Sequence, residues 1–160
     1  LKPLADLETL LDEDYVDWGH SEKYSTAIGV GECAGVMIDL VATLIMEAEE
    51  KVDLAKECLD NKAWADGIYH AYAGFVHTAK ALLLNQGIQC NTQTGIIRDF
   101  DTHFVQKGYF SELVSFSELV LQINKNAPSE EFANAYYQQA KDFIEQAKER
   151  RNIAVEAKAV

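Results

Sequence analysis

Residues 34–61 read AGVMIDLVATLIMEAEEKVDLAKECLDN, and residues 64–87 read WADGIYHAYAGFVHTAKALLLNQG. In the first stretch Ala34, Ile38, Val41, Ile45, Ala48, Val52, Ala55 and Leu59 recur at alternating intervals of four and three. That spacing lays one apolar seam along a helix. Glu47, Glu49, Glu50, Lys51, Asp53, Lys56 and Glu57 fall on its other faces. In the second stretch Trp64, Ile68, Ala71, Phe75, Thr78 and Leu82 repeat the pattern. Asp60–Asn61 interrupts the first seam, Asn61 can cap the next helix, and Gly87 supplies a stop. Two long amphipathic helices with so short a join must lie antiparallel.

Downstream, Thr92 can cap a third helix bearing Ile96, Ile97, Phe100 and Phe104, which stops at Lys107–Gly108. A fourth is expected over Ser111–Asn124, with Leu113, Phe116, Val120 and Ile123 inward. Pro128–Ser129–Glu130–Glu131 starts a fifth, its acids at the positive end of the helix dipole. That helix turns Phe132, Tyr136, Gln139 or Ala140, Phe143 and Ala147 inward. No segment alternates convincingly at period two. The sequence therefore predicts an all-α, up-and-down bundle of four to five helices over residues 25–152. A lead-in or linker remnant is expected over 1–24 and a tail over 153–160.

The 160 residues suit one domain, and 48% apolar content supplies a core without staples. Twenty-six acids against 14 bases give a net charge of −12, and residues 1–60 alone hold 15 acids and 4 bases. That balance argues against nucleic-acid phosphates and anionic membrane surfaces as partners. No apolar run reaches the ~20 residues of a membrane span. Cys33, Cys58 and Cys90 are odd in number and lack CxxC spacing, which predicts reduced thiols in a cytoplasmic protein. The start at Leu1 suggests a domain cut from a longer chain.

Candidate chemistry is sparse. Gly29–Val30–Gly31–Glu32–Cys33–Ala34–Gly35 has glycine spacing like a phosphate loop. It follows no strand and carries a repelling glutamate, so it reads as a close-packed helix start. His70 and His77 lie about 10.5 Å apart along one helix, too far to chelate one metal. No metal or cofactor ligand set is present, and the isolated domain is expected to carry neither. Tyr69, Tyr72, Tyr136 and Tyr137 form a stripe that reads as core. Arg98–Asp99–Phe100–Asp101–Thr102–His103 places an arginine and a histidine five positions apart, diverging by about 140° on an ideal helix. Arginine can hold a phosphate and histidine can move a proton, the minimum for cutting RNA through its 2′-hydroxyl. The plainer reading pairs Arg98 with Asp101 on a solvated face.

Gly67–Ile68–Tyr69–His70–Ala71–Tyr72–Ala73–Gly74–Phe75 and its continuation to Gly87 resemble the second helix of HEPN (higher eukaryotes and prokaryotes nucleotide-binding) domains. Thr92–Gln93–Thr94–Gly95–Ile96–Ile97 and Phe100–Asp101–Thr102–His103–Phe104 resemble the third. The likeness spans about residues 25–150 and is strongest over 67–110. It implies a bundle of four to five helices and often a homodimer. Many relatives have Thr-His or Ser-His where this chain has Thr92–Gln93, and active family ribonucleases carry R-x4-6-H near the last helices. Gln122–Ile123–Asn124–Lys125–Asn126 offers no arginine there, so the resemblance implies a degenerate member in which Arg98 and His103 sit on an earlier helix. Ile28–Gly29–Val30–Gly31–Glu32–Cys33–Ala34–Gly35–Val36–Met37–Ile38–Asp39–Leu40 is also similar to a C-terminal extension of bacterial sirohaem nitrite/sulfite reductases. That second resemblance implies sirohaem and an iron–sulfur cluster in a parent chain. The resulting expectation is a non-catalytic accessory domain of such a reductase, dimerising or docking to its parent-chain domains. The alternative is a HEPN-type nucleotide-binding or ribonuclease module, toxin-like, with Arg98 and His103 as its catalytic pair.

Overall fold

The computed structural model describes the backbone of residues 30–110 and 113–159, with side chains for Val36, 38–110 and 113–151. The expected lead-in at 1–24 lies outside the described residues. The helices are α1 (Val30–Asp60), α2 (Trp64–Asn85), α3 (Gln93–Phe100), α4 (Phe116–Val120) and α5 (Glu130–Ala159). A π-helical turn, Asp101–Val105, prolongs α3, and a 3-10 turn, Leu121–Asn124, prolongs α4. No strand occurs among the described residues, and the architecture is the all-α bundle expected. The chain divides into two compact units, Leu1–Ile38 and Asp39–Val160. The second unit holds most of α1 and all of the later helices.

The seam of α1 is buried from Val41 onward, through Ile45, Ala48, Val52, Ala55 and Leu59. On α2, Ile68, Ala71, Phe75, Thr78 and Leu82 are buried. The helices approach closely because two glycines of α2 face α1. A Cβ on Gly74 would lie 2.9 Å from Val52 Cγ2, and one on Gly67 would lie 3.0 Å from Leu59 Cδ2. Early α2 opposite late α1 is the antiparallel arrangement that the short join requires. Gly74→Ala tests this contact. The β-branched Val52 cannot yield easily, so overpacking (~1–3 kcal/mol) outweighs the helix-propensity gain (up to ~1 kcal/mol). Urea unfolding should show a net loss of about 0.5–2 kcal/mol, recovered when Val52→Ala is added.

The join itself corrects the sequence reading. Lys62 adopts φ +60°, the Ala63 amide donates to Cys58 O (2.8 Å), and the Lys62 amide donates to Leu59 O (3.0 Å). This left-handed closure satisfies the last carbonyls of α1. Asn61 therefore finishes α1, its Nδ2 donating to Glu57 O at 3.1 Å, and α2 begins after Ala63 without a side-chain cap. The other ends follow the sequence more closely. Gly87 and Gly108 take φ of +78° and +77°, Thr92 Oγ1 accepts from the Gly95 amide (3.0 Å), and Ser129 Oγ accepts from the Phe132 amide (3.1 Å). Ala140, not Gln139, faces inward. The last helix runs on through the residues set apart as a tail, as far as Ala159.

The core is aromatic. Phe75, Phe100, Phe104, Phe110, Phe116 and Phe143 are buried, and Phe100 lies 4.5 Å from Phe116 and 4.7 Å from Phe104, ring centre to ring centre. Tyr136 is fully buried, and its hydroxyl donates to Val120 O at 2.7 Å. Among the described residues no helix is long and apolar enough to cross a membrane.

Candidate functional site

The site grows from the outer side of α3 and its π-turn. Ile96, Ile97, Phe100 and Phe104 anchor this segment in the core, which leaves Arg98 exposed and His103 half-buried on the other side. Gln106 donates its amide to Asp101 O (2.8 Å), a five-residue hydrogen-bond interval. Such a wide turn rotates each residue by less than an α-helix does. It therefore narrows the divergence expected between Arg98 and His103.

Asp99 is the meeting point. Cys90 Sγ donates to Asp99 Oδ2 at 2.7 Å, and Arg98 Nε donates to Asp99 Oδ1 at 3.4 Å. The Asp99 carboxyl is held below its ordinary pKa first by the Cys90 hydrogen bond. Burial opposes this, the Arg98 guanidinium lowers it further, and the nearby His103 adds to the lowering. Burial and then Asp99 push the Cys90 thiol up to about 11. Sequence reasoning missed both Cys90 and Asp99. The Cys90–Asp99 contact spans nine residues and a loop, and no periodicity signals it. It has a measurable consequence. A thiol near 11 holds about a hundredfold less thiolate at pH 8 than one at an ordinary 9.0, so Cys90 should alkylate about that much more slowly in native than in urea-unfolded protein. Equal rates in the two states would refute the half-buried Cys90–Asp99 contact.

Asp101 does not pair with Arg98 as expected. Its carboxylate accepts from the Phe116 amide (2.6 Å), the Ser117 amide (2.9 Å) and the Ser117 hydroxyl. The three-residue spacing suggested a surface pair, but the start of α4, with the Ser115 hydroxyl (3.5 Å) as a further donor, offers this carboxylate four donors at once. The same clamp, with Ser115 capping at the Glu118 amide, explains why α4 begins at Phe116 and not at Ser111.

The remaining candidates disperse. His77 contacts Ala73 O through Nδ1 (3.0 Å) and approaches Glu47 with Nε2 at 3.6 Å. Burial lowers its pKa, and Glu47 opposes that. His70 Nδ1 is buried without a partner. Tyr136 is core, Tyr72 donates to Gln93 Oε1 (3.0 Å), and Tyr69 is 65% exposed. No group of three or more metal-ligating side chains occurs among the described residues. A shallow cleft lined by Glu49, Asp53, Tyr137, Lys141 and Glu145 shares no residue with the Arg98–His103 neighbourhood.

The HEPN domain model matches residues 41–158, which takes in every helix that builds this site. The chain belongs to the HEPN family. A protein of Methanocaldococcus jannaschii named "putative toxin" is 29% identical over 117 residues, covering 68% of this chain and 86% of its own length. A UPF0332 protein of Pyrococcus horikoshii is 40% identical over 65 residues, covering 41% of this chain and 46% of its own length. These matches overturn the expectation of a reductase accessory domain. That expectation rested on Ile28–Leu40, which lies before the matched HEPN residues.

Proposed function

We propose that this HEPN domain is a toxin-like, metal-independent ribonuclease in which Arg98 and His103 are the catalytic pair. The observation that carries this reading is that both side chains act on one carboxylate, Asp99. An arginine and a histidine five residues apart thus share one neighbourhood on the surface. The name borne by the Methanocaldococcus jannaschii relative supports the toxin-like part. The charge argument against RNA weakens once its location is considered. Residues 1–60 carry 15 of the 26 acids and only 4 of the 14 bases, so the part bearing the site is nearly neutral.

Arg98 would hold the scissile phosphate, its planar fork matching two phosphate oxygens. His103 would take the proton of the 2′-hydroxyl as its oxygen attacks phosphorus. The bond to the 5′-oxygen then breaks, and that oxygen needs a proton. His103 of a second copy across a two-fold axis supplies it, which makes a homodimer part of the proposal. The products are a 2′,3′-cyclic phosphate and a free 5′-hydroxyl. Incubating the purified chain with single-stranded RNA in EDTA tests this reading. The expected result is cleavage leaving cyclic phosphate ends, and intact RNA at high protein concentration would refute it.

A further inference from the structure

Beyond the Arg98–His103 pair, the chain carries a second arrangement of cationic and aromatic side chains that the packing of the core does not require. The π-turn ends in a tight glycine closure. The Gly108 amide donates to Val105 O (3.0 Å), and the Tyr109 amide donates to Phe104 O (2.9 Å). That second bond ties Tyr109 to the residue after His103. The Tyr109 ring meets Phe104 edge-on at 6.1 Å yet remains 45% exposed. From α5, the Arg150 guanidinium lies 4.3 Å from the centre of the buried Phe110 ring and 5.7 Å from that of Tyr109.

Among the described residues, the Arg150 guanidinium rests on rings. Burial lowers its pKa, and Tyr109 opposes that. A guanidinium held over a ring can turn its edge donors to an external anion. Lys107 adds a further exposed cation two residues before Tyr109. A guanidinium held beside an exposed ring is a combination that binds single-stranded nucleic acid, phosphate on the cation and base on the ring.

The geometry points to a single-stranded RNA contact built from Tyr109, in the segment that follows His103, and Arg150, with a base stacked on Tyr109 and a phosphate on Arg150. The inference rests on the ribonuclease reading, and binding can be measured apart from cleavage. The test uses the 160-residue chain as His103→Ala, which keeps the probe intact, and a fluorescein-labelled single-stranded RNA read by anisotropy. Tyr109→Ala should weaken binding about tenfold, while Tyr109→Phe, which keeps the ring, should bind as the parent does. Arg150→Ala should weaken binding and reduce the slope of log affinity against log salt by about 0.7, and Arg150→Lys should keep the slope. Thermal melting confirms that each variant is folded, and exposed Tyr109 keeps the test valid if Arg150→Ala is not.

Parental affinity in both Tyr109→Ala and Arg150→Ala overturns the contact, as does a parent that binds no RNA. Wild type that cleaves RNA with KM unchanged in both variants also overturns it and leaves the ribonuclease reading intact. Binding lost in the variants of a chain that never cleaves upholds the contact and sinks the ribonuclease reading.

Discussion

His103→Ala should lower RNA cleavage in EDTA by about 10²–10⁴-fold, the usual contribution of a positioned acid or base. Arg98→Ala should cost about 10²–10³-fold, as removing one donor to a transition-state oxyanion does. Arg98→Lys should recover part of the loss, because lysine supplies the charge without the planar fork. The double variant should be scarcely worse than the more damaging single one, since both groups serve one step. Neither change should alter stability by more than about 0.5 kcal/mol, because Arg98 is exposed and His103 is only half-buried. Gel analysis of a labelled oligonucleotide alongside chemical denaturation reads both quantities. Cleavage that survives in Arg98→Ala/His103→Ala would move the activity elsewhere in the sample or the chain.

Phe75→Ala should cost about 3–5 kcal/mol, the upper part of the range for core truncation. Phe75 is fully buried and packs against Phe116 (6.3 Å), Tyr136 (5.1 Å) and Phe143 (5.6 Å) between ring centres. Those partners come from α4 and α5, so one ring on α2 ties three helices together. The partners are themselves large and interlocked, which leaves them little freedom to close the cavity. Against a total of about 5–15 kcal/mol for an ordinary domain, the variant should be close to unfolding at 37 °C. A midpoint shift in urea equivalent to under about 0.5 kcal/mol would show that Phe75 does not tie these helices together.

Fold and site differ in how legible they are in the chain. The seams of α1 and α2 are plain, because burial repeats at the helical period and the chain shows that period directly. Thr92 and Ser129 are legible as helix starts because a hydroxyl needs only the amide three residues on. Asn61 misleads for a related reason. A capping side chain can serve either of two neighbouring helices, and the left-handed turn at Lys62 assigns it to the earlier one. At the site, Arg98 and His103 are visible as residue types at a spacing. Whether they act together depends on local turns and on where charge lies along the chain, and net charge and ideal helix rotation are averages over both.

By itself, then, the sequence determined the order of the helices, most of their inward faces and the HEPN likeness, all of which follow from local periodicity and end signals. Only the tertiary structure decided how the outer face of α3 works. Asp101 turned from a partner of Arg98 into a clamp on α4, because four donors at a helix start outweigh one exposed cation. Asp99 gathered Cys90 across a loop beside its neighbour Arg98, with His103 near. Arg150 came to rest on Phe110, forty positions away in the chain. Contacts of that kind depend on where packed elements bring distant side chains, and spacing along one helix carries no record of it.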